Sequence, residues 1–245
     1  MNSGLYAALS GNLAAMRRLD ILSNNLANVN TPGFKKERML FESLLASVKN
    51  STSPPGTPTD APVLAADRVI TDYSPGPLKE TGNPLDLAIE GDGFFVVNTP
   101  NGPAYTRQGN FRRDQAGRIV TVDGYELQGT GGPITITGGK VDVDARGQVS
   151  VDGAQVGTLQ IVDFPHPYAL DKAGNGLFVP SDPQNTPQAT TAARISQGFI
   201  EQSNVNTIQE MVELIETNRF FEMCSKAVKS YDDLTARAAN DLGKV

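Results

Sequence analysis

Reactive side chains are scarce in this chain. Its 245 residues include one histidine, one cysteine and no tryptophan. A disulfide within the chain and a zinc site built from Cys and His ligands are therefore excluded. Cys224 lies at an apolar position of the helical stretch FFEMCSKAVKSY, where a small buried hydrophobe is more common than a nucleophile. His166 lies in the extended stretch FPHPY, where a histidine is more often a surface residue than a general base.

Positive charge and long apolar runs are also lacking. The formal net charge is −6, whereas proteins that bind phosphate backbones cluster Lys and Arg, so nucleic acid is not expected as a partner. No stretch approaches the ~20 apolar residues that span a bilayer. The first residues, MNSGLYAALSGNLAAMRRLD, also lack a charged region followed by an unbroken apolar core. The sequence therefore predicts neither membrane insertion nor a cleavable secretory signal.

Residues 3 to 29 have the periodicity of a helix. Their candidate seam repeats at spacings of four and three, as in a coiled coil. It consists of Leu5, Leu9, Asn12, Met16, Leu19, Ser23 and Leu26.

The helix is expected to stop in the stretch SNNLANVNTPGF, at residues 23–34. Pro32 forbids continuation, Gly33 permits a reversal, and Phe34 is an apolar anchor beyond it. An ordinary helix cap explains one or two of the amides. The stretch holds four, Asn24, Asn25, Asn28 and Asn30. The others are predicted to bind the chain's own C-terminal helix or another molecule.

The central part of the chain changes character twice. Residues 50–62, NSTSPPGTPTDAP, are typical of an extended linker. From about residue 68 to 200, short β-type runs alternate with turn signals such as Asn-Gly and Asp-Gly, which predicts a compact β domain built from hairpins. Residues 114–124 and 144–153 repeat one pattern, in which a turn with Gly at positive φ leads into a strand and an Asp-Gly turn.

Helical periodicity returns near residue 207 and continues to about residue 242. Residues 203–207 offer helix caps, and Thr207 and Glu210 have the spacing of a capping box. Two apolar stripes offset by one residue predict a helix with more than one neighbour. The stripes are Val205, Ile208, Val212 and Ile215, followed by Phe220, Cys224, Ala227, Tyr231, Leu234 and Ala238. The predicted fold class is α+β, with N- and C-terminal helices pairing as a coiled coil around a central all-β domain.

Three classes of function remain open on the residues alone. Asp86, Glu90, Asp92 and Asp114 could supply a carboxylate pair to a β-domain hydrolase, although aspartates are common in turns for local reasons. The chain could instead be a binding module that dimerises through its helices. The third class is a structural subunit. Calcium binding by residues 142–153 is not predicted, because the bidentate acid of such a loop is missing, and no cofactor is predicted.

Three motifs, in the same order, resemble one known family. ANVNTPGF (27–34) is similar to the N-terminal signature of the bacterial flagellar axial proteins, which include rod, hook and hook-associated proteins. SNVNTIQEMVELIETNRFFEMCSKAVKSYDDL (203–234) resembles their C-terminal helix. NPLDLAIEGDGFFVV (83–97) and YTRQGNFRRDQAGRIVTVDGYELQG (105–129) resemble the β domain shared by hook and rod proteins. Within the family, the likeness is greatest to proximal-rod members, with distal-rod members as near neighbours.

This resemblance implies a structural subunit of the flagellar basal-body rod, not an enzyme. Its implied partners are other rod proteins, copies of itself and the type III export apparatus, and its location is the rod crossing the periplasm. The implied domains are residues 1–30 and 203–245 as a helical coiled coil, 31–67 as a linker that locks subunits together, and 68–202 as the β domain.

The assembly interface implied by the resemblance and the apolar pattern lies on both terminal segments. Its N-terminal residues are Leu5, Leu9, Asn12, Met16, Leu19, Asn24, Asn25, Leu26, Asn28, Asn30, Pro32, Gly33 and Phe34. Its C-terminal residues are Val205, Ile208, Val212, Ile215, Phe220, Phe221, Cys224, Val228, Tyr231 and Leu234.

Overall fold

Two long helices stand at the two ends of the described chain. The computed structural model describes residues 2–42, 66–190 and 193–242. Helix α1 spans Asn2–Ala27 and helix α2 spans Thr207–Leu242, close to the extents that the sequence predicts. The predicted linker at residues 50–62 lies outside the described residues. In the described ranges, neither helix is both long and apolar enough to cross a membrane.

Strands fill most of the chain between the two helices. In chain order, the described strands are β1 (Glu37–Glu42), β2 (Ala66–Thr71), β3 (Leu78–Glu80), β4 (Leu87–Glu90), β5 (Phe94–Thr99), β6 (Gly102–Thr106), β7 (Arg112–Arg113), β8 (Ile119–Val120), β9 (Glu126–Gly129), β10 (Gly132–Pro133), β11 (Val141–Val143), β12 (Gln148–Val151), β13 (Ala154–Thr158), β14 (Ile161–Asp163), β15 (Leu170–Gly174), β16 (Leu177–Pro180), β17 (Gln188–Ala189), β18 (Arg194–Gln197) and β19 (Phe199–Glu201).

The chain divides into two compact units. The first, called the helical unit, contains the described residues among 1–27, 36–72 and 206–245, and the second, called the β unit, contains residues 28–35 and the described residues among 73–205. In the helical unit, β1 pairs antiparallel with β2. The predicted start of the linker, residue 31, falls within residues 28–35, and all of these residues belong to the β unit.

The β unit is built from antiparallel pairs. Its main sheet has the strand order β15-β16-β6-β5-β9-β8-β7, with β10 on β9, β14 on β5 and β17 on β14. Strands β11, β12 and β13 form a three-stranded sheet, while β18 pairs with β4 and β19 with β3. Every pairing in these sheets is antiparallel, as expected for strands joined by short turns. The α+β class with a β-rich centre is therefore confirmed.

Strand β5 explains the continuous apolar run FFVV. Side chains of a strand alternate between its two faces. Phe95 and Val97 enter the larger core cluster of the β unit, and Phe94 and Val96 enter a second, aromatic-rich cluster on the other side. Phe94 packs edge-on against Phe164 and other rings there. A strand buried on both faces has no exposed position for a polar side chain, so the run is apolar throughout.

The two repeated turns have the same hydrogen bonds. The Oδ1 atom of Asp114 accepts from the backbone N–H groups of Ala116 and Arg118. Thirty positions later, Oδ1 of Asp144 accepts from the N–H groups of residues 146 and 148 in the same way. Gly117 and Gly147 follow with φ of 84° and 82°. The aspartates of these loops therefore hold turns, as aspartates in β proteins commonly do.

Candidate assembly surface

Within the helical unit, α1 and α2 lie against each other in opposite directions. Along α1, the contacts with α2 are Gly4 with Tyr231, Gly11 with Cys224, Arg18 with Glu213 and Asn25 with Glu210. Residue numbers rise on one helix as they fall on the other. The four positions on α1 are seven residues apart, which is two turns of a helix. One face of α1 therefore follows α2 along most of its length.

Small residues bring the two helices close together. A Cβ atom added at Gly11 would lie 3.1 Å from the Sγ atom of Cys224, so the two helices approach each other closely at this point. Ala15 and Leu22 are buried on the same face. The predicted seam through Leu9 and Met16 is offset by one residue from these contacts.

A cleft of about 480 Å³ opens along the contact between the two helices. Its lining is mainly apolar and consists of Gly11, Ala14, Ala15, Arg18, Glu216, Thr217 and Phe220. Arg18 and Glu213 are joined beside it by an ion pair of 3.0 Å, with both side chains more than a third exposed. Exposed pairs of this kind contribute little to stability, so the surface offered by the cleft is essentially apolar.

Asn25 is the polar centre of the helical unit. Its side chain is 1% exposed. The Nδ2 group donates to the carbonyl oxygen of Glu37 at 2.8 Å and to Oε2 of Glu210 at 3.1 Å, and the Oδ1 atom accepts from the Glu37 N–H at 2.9 Å. One amide thus joins α1, β1 and α2. The sequence left two kinds of partner open for the amides. The partner of Asn25 is the chain's own C-terminal helix.

The cap of α2 is one of those that the sequence offers. Oδ1 of Asn206 accepts from the N–H groups of Ile208 and Gln209, so Asn206, within the predicted range 203–207, is the N-cap. The capping-box spacing of Thr207 and Glu210 is not used for a capping box, because the Glu210 carboxylate accepts from the Asn25 amide.

The other predicted amides are nearer the surface. Asn24 and Asn30 are exposed and Asn28 is half-buried. The Oδ1 atom of Asn28 accepts from the Thr31 hydroxyl at 3.1 Å, and the Asn28 carbonyl oxygen accepts from the Thr31 N–H. Pro32 is half-buried just beyond this turn.

The large apolar residues of α1 divide into exposed and half-buried positions. Leu9 is 55% exposed and Met16 51% exposed, and Tyr6 and Leu13 are exposed with them. Spacings of three and four residues place these four side chains on neighbouring turns of one stripe. The remaining predicted residues of this helix, namely Leu5, Asn12, Leu19 and Leu26, are half-buried.

Helix α2 has the same division. Its exposed predicted residues are Ile208, Val212, Ile215, Phe220, Tyr231 and Leu234. Its half-buried ones are Phe221, Cys224 and Val228, which lie on the side that carries the contact of Cys224 with α1. Val205 precedes the helix and is buried in the β unit. Exposed apolar patches larger than those of ordinary surfaces indicate an interaction site.

Gly33 and Phe34 dock inside the β unit. Gly33 has φ of 68°, and a Cβ atom there would collide with the backbone of Arg107. Its N–H donates to the Glu201 carbonyl oxygen at 2.8 Å. Phe34 is buried, with the Nζ atom of Lys172 4.4 Å from the centre of its ring. Only glycine lets the backbone at residue 33 come this close to the backbone of Arg107. Contacts within one chain therefore explain the glycine of the TPGF sequence.

Three charged side chains lie buried next to this signature. Lys35 and Glu201 are each 1% exposed, and Nζ of Lys35 lies 2.6 Å from Oε1 of Glu201. Arg107 approaches the other carboxylate oxygen at 3.4 Å. The periodicity of the sequence does not indicate that these residues meet, because the lysine and the glutamate are 166 residues apart. A basic residue directly after an apolar anchor was the only local signal.

Three of the four acidic residues considered for hydrolysis have structural partners. Asp86 is buried and accepts from the Asn83 amide at 2.9 Å, and Glu90 accepts from the Ser196 hydroxyl. Hydrogen bonds from the Arg118 backbone, followed by the Arg118 side chain, hold the pKa of Asp114 below its usual range. These three carboxylates are used in holding loops and strands, and Asp92 is exposed.

His166 is exposed and stacks on Tyr168, with ring centres 4.2 Å apart. The Tyr168 hydroxyl donates to Asp163 at 2.8 Å. Burial and that bond raise the pKa of Tyr168. Among the described residues, no group of three His, Cys, Asp or Glu side chains could hold a metal ion.

Three family profiles match separate parts of the chain. They are described as "Flagella basal body rod protein", over residues 5–35, "Flagellar hook protein FlgE/F/G D1 domain", over residues 88–151, and "Flagellar basal body rod FlgEFG protein C-terminal", over residues 196–242. The matches cover the two terminal segments and the middle of the β unit. They coincide with the three motifs that carry the resemblance.

Whole proteins similar to this chain are flagellar rod proteins. The flagellar basal-body rod protein FlgF of Rhizobium meliloti is 33% identical over 99% of both chains. The FlgF protein of Caulobacter vibrioides is 36% identical over the full length of both. The FlgG protein of Bacillus subtilis is 36% identical over 98% of this chain and 99% of its own. The similarity is full-length in each case.

The role of Asn25 can be tested against an exposed asparagine of α2. We expect Asn25→Asp to lower the free energy of unfolding of the helical unit by about 3 kcal/mol, because it removes two donated hydrogen bonds and sets a carboxylate beside Glu210. Asn218→Asp makes the same chemical change at an exposed position of the same unit and should cost about 0.5 kcal/mol or less. Chemical denaturation followed by helical circular dichroism measures both. Equal losses would contradict the assignment.

The contact of Gly11 with Cys224 predicts a disulfide from one substitution. The 3.1 Å between an added Cβ and the cysteine sulfur is close to the ~3 Å that separates these atoms across a disulfide. Oxidised Gly11→Cys should therefore form a reducible bond within the chain, seen as faster migration on a non-reducing gel. Leu13→Cys, on the exposed stripe, is the control and should not form it. Failure of Gly11→Cys to crosslink would contradict the helix pairing.

Proposed function

The chain belongs to the family of flagellar basal-body rod proteins, and we propose that its terminal helices assemble it with other axial subunits into the helical shaft of the rod. Its full-length similarity extends to FlgF and FlgG proteins alike. It is FlgF-like, with FlgG proteins as near neighbours. The chain is accordingly a structural subunit of the rod.

The observation that carries the proposal is the exposure of large apolar residues on both terminal helices. Leu9 and Met16 on α1, and Ile208 and Ile215 on α2, each expose about half or more of their side chain. Burying a side chain of this size contributes about 1.5–3 kcal/mol. Covering such positions with neighbouring subunits would therefore favour assembly.

The pairing of α1 with α2 is proposed to be a coiled coil. Its support is the seven-residue spacing of Gly4, Gly11, Arg18 and Asn25 along α1 and the matching spacing of Glu210, Thr217 and Cys224 along α2, two of which are buried. Spacings of seven are the repeat that keeps one face of a helix turned toward its partner.

Unlike surfaces on one chain favour an open assembly. The exposed stripe of α1 contains large side chains such as Leu9 and Leu13, whereas the cleft between α1 and α2 is lined by small ones such as Gly11 and Ala15. Large side chains of one copy entering the cleft of another would make a head-to-tail contact, which propagates as a helix when its rotation does not close. The proposed partners are other rod subunits and copies of this chain.

The family also supports a location and a route. We propose that the subunit resides in the basal-body rod where it crosses the periplasm, serves as part of the shaft and export channel, and reaches its place through the type III export apparatus. Of the carboxylates considered for the hydrolase alternative, Asp86, Glu90 and Asp114 hold loops and strands.

The proposal predicts separate effects on folding and assembly for Leu9→Asp. Because Leu9 is already 55% exposed, the isolated protein should keep its stability within about 0.5 kcal/mol. In the rod, the new carboxylate would be buried without a partner, which is strongly unfavourable, so rod incorporation and motility should be lost. Complementation of a deletion strain and isolation of basal bodies measure these outcomes.

Val122→Asp is the matched control for that experiment. Val122 is 53% exposed but lies in a turn of the β unit, so the same change there should leave motility intact. Normal motility with Leu9→Asp would contradict the proposal. Equal loss with both variants would contradict the assignment of assembly to the helices.

A further inference from the structure

A buried cluster of three charged side chains ties the ends of the β unit together. We propose that Lys35, Glu201 and Arg107 dock the TPGFK segment onto the β unit and that this docking positions the chain for assembly. The proposal rests on the rod function given above. The three side chains are buried within the β unit, so their role would be that of positioning residues.

The glutamate is the centre of this cluster. Its Oε1 atom accepts from Lys35 Nζ at 2.6 Å and from the Gly76 N–H at 2.8 Å. Its Oε2 atom faces Arg107 at 3.4 Å, and its backbone carbonyl oxygen accepts from the Gly33 N–H. A buried carboxylate needs compensation of this kind because its desolvation is costly. The side chain and backbone of one residue thus hold two different segments.

The lysine and the arginine extend the cluster to backbone groups. Nζ of Lys35 also donates to the Ser74 carbonyl oxygen at 2.8 Å. Arg107 donates to the carbonyl oxygens of Ile89 and Gly91, at 3.3 and 2.7 Å. Gly91 directly follows β4 and Ile89 lies within it, and buried backbone groups require such partners. Each cation therefore fixes a loop as well as neutralising the glutamate.

The residues of this cluster lie where the chain passes between its units. The chain changes unit after residues 27, 35, 72 and 205. Lys35 and Ser74 are within two residues of such a change, and Glu201 is four residues before another. Within the β unit, the cluster therefore joins the chain segments next to three of these four changes. Asn204 reinforces it, with its N–H on the Phe34 carbonyl oxygen and its amide on Ser74.

This geometry distinguishes docking from folding of the sheet. The core clusters around Phe95 and Phe94 are built from apolar residues, and Arg107 approaches one of them, with its guanidinium carbon 5.4 Å from the centre of the Phe94 ring. Lys35 instead joins residues 28–35 to Glu201 and Ser74, so its loss should release residues 28–35 before it loosens β5 and its neighbours. A residue that only adds general stability would loosen both to the same extent.

The first test is hydrogen exchange on the full-length protein with Lys35→Met. This change removes one cation and leaves Glu201 beside Arg107, so no net charge is stranded in the interior. Amide exchange of residues 28–35 should accelerate by about a hundredfold, while exchange in β5 stays within about threefold of the original. Lys140→Met is the matched control, because it removes the lysine of an exposed ion pair with Asp142 in the same unit. It should change neither region.

The second test asks whether docking matters for assembly. Rod incorporation and motility should fall at least about tenfold with Lys35→Met and remain normal with Lys140→Met. Glu201→Gln provides an independent variant, which leaves two buried cations without their anion and should release the same segment more strongly.

The outcomes separate this proposal from the rod function itself. If residues 28–35 stay protected in both Lys35→Met and Glu201→Gln, or if β5 loosens equally, the docking role is overturned. If the segment is released but assembly is normal, the positioning role is overturned and the rod function stands. If neither Lys35→Met nor Leu9→Asp affects the flagellum, the rod function is what fails, whatever the exchange shows.

Discussion

The close approach of α1 and α2 is the constraint from which the rest of the helical unit follows. Gly11 packs tightly against Cys224. Ala15 and Leu22 are buried on the same face of α1, which is offset by one residue from the stripe that carries Leu9. Leu9 and Ile208 remain exposed in the single chain. In a helix pair of this kind, the apolar residues on the facing sides are buried by the partner helix. The apolar residues on the other sides need neighbouring molecules to bury them.

Buried polar groups determine where each segment goes, and apolar groups supply most of the driving force. Asn25 joins two helices and a strand through three hydrogen bonds, and Glu201 joins two distant segments in the β unit. Each would be costly to bury in any arrangement that lost its partners. The amides and charges of the signature region thus have a purpose within the chain, and the candidate contacts with other subunits fall mainly on the apolar stripes.

Sequence patterns predicted the parts of the fold that depend on local rules. Periodicity located both helices to within a few residues, and the Asp and Gly repeats located the turns around Asp114 and Asp144, because helix caps and Asx hydrogen bonds involve residues close in sequence. The contacts of α1 with α2 run one residue away from the candidate seam, because the glycines at positions 4 and 11 carry no weight in an apolar pattern. The same reasoning missed Lys35 with Glu201, as no local rule pairs residues 166 positions apart.

In the proposed assembly, other axial subunits cover the exposed stripe of α1 in the rod. Maleimide labelling of Leu9→Cys, in a Cys224→Ser background, tests it directly by comparing the isolated protein with purified basal bodies from a motile strain. We expect rapid labelling of the isolated chain, where this position is 55% exposed, and strong protection from labelling in the basal body. Equally rapid labelling in both would contradict it.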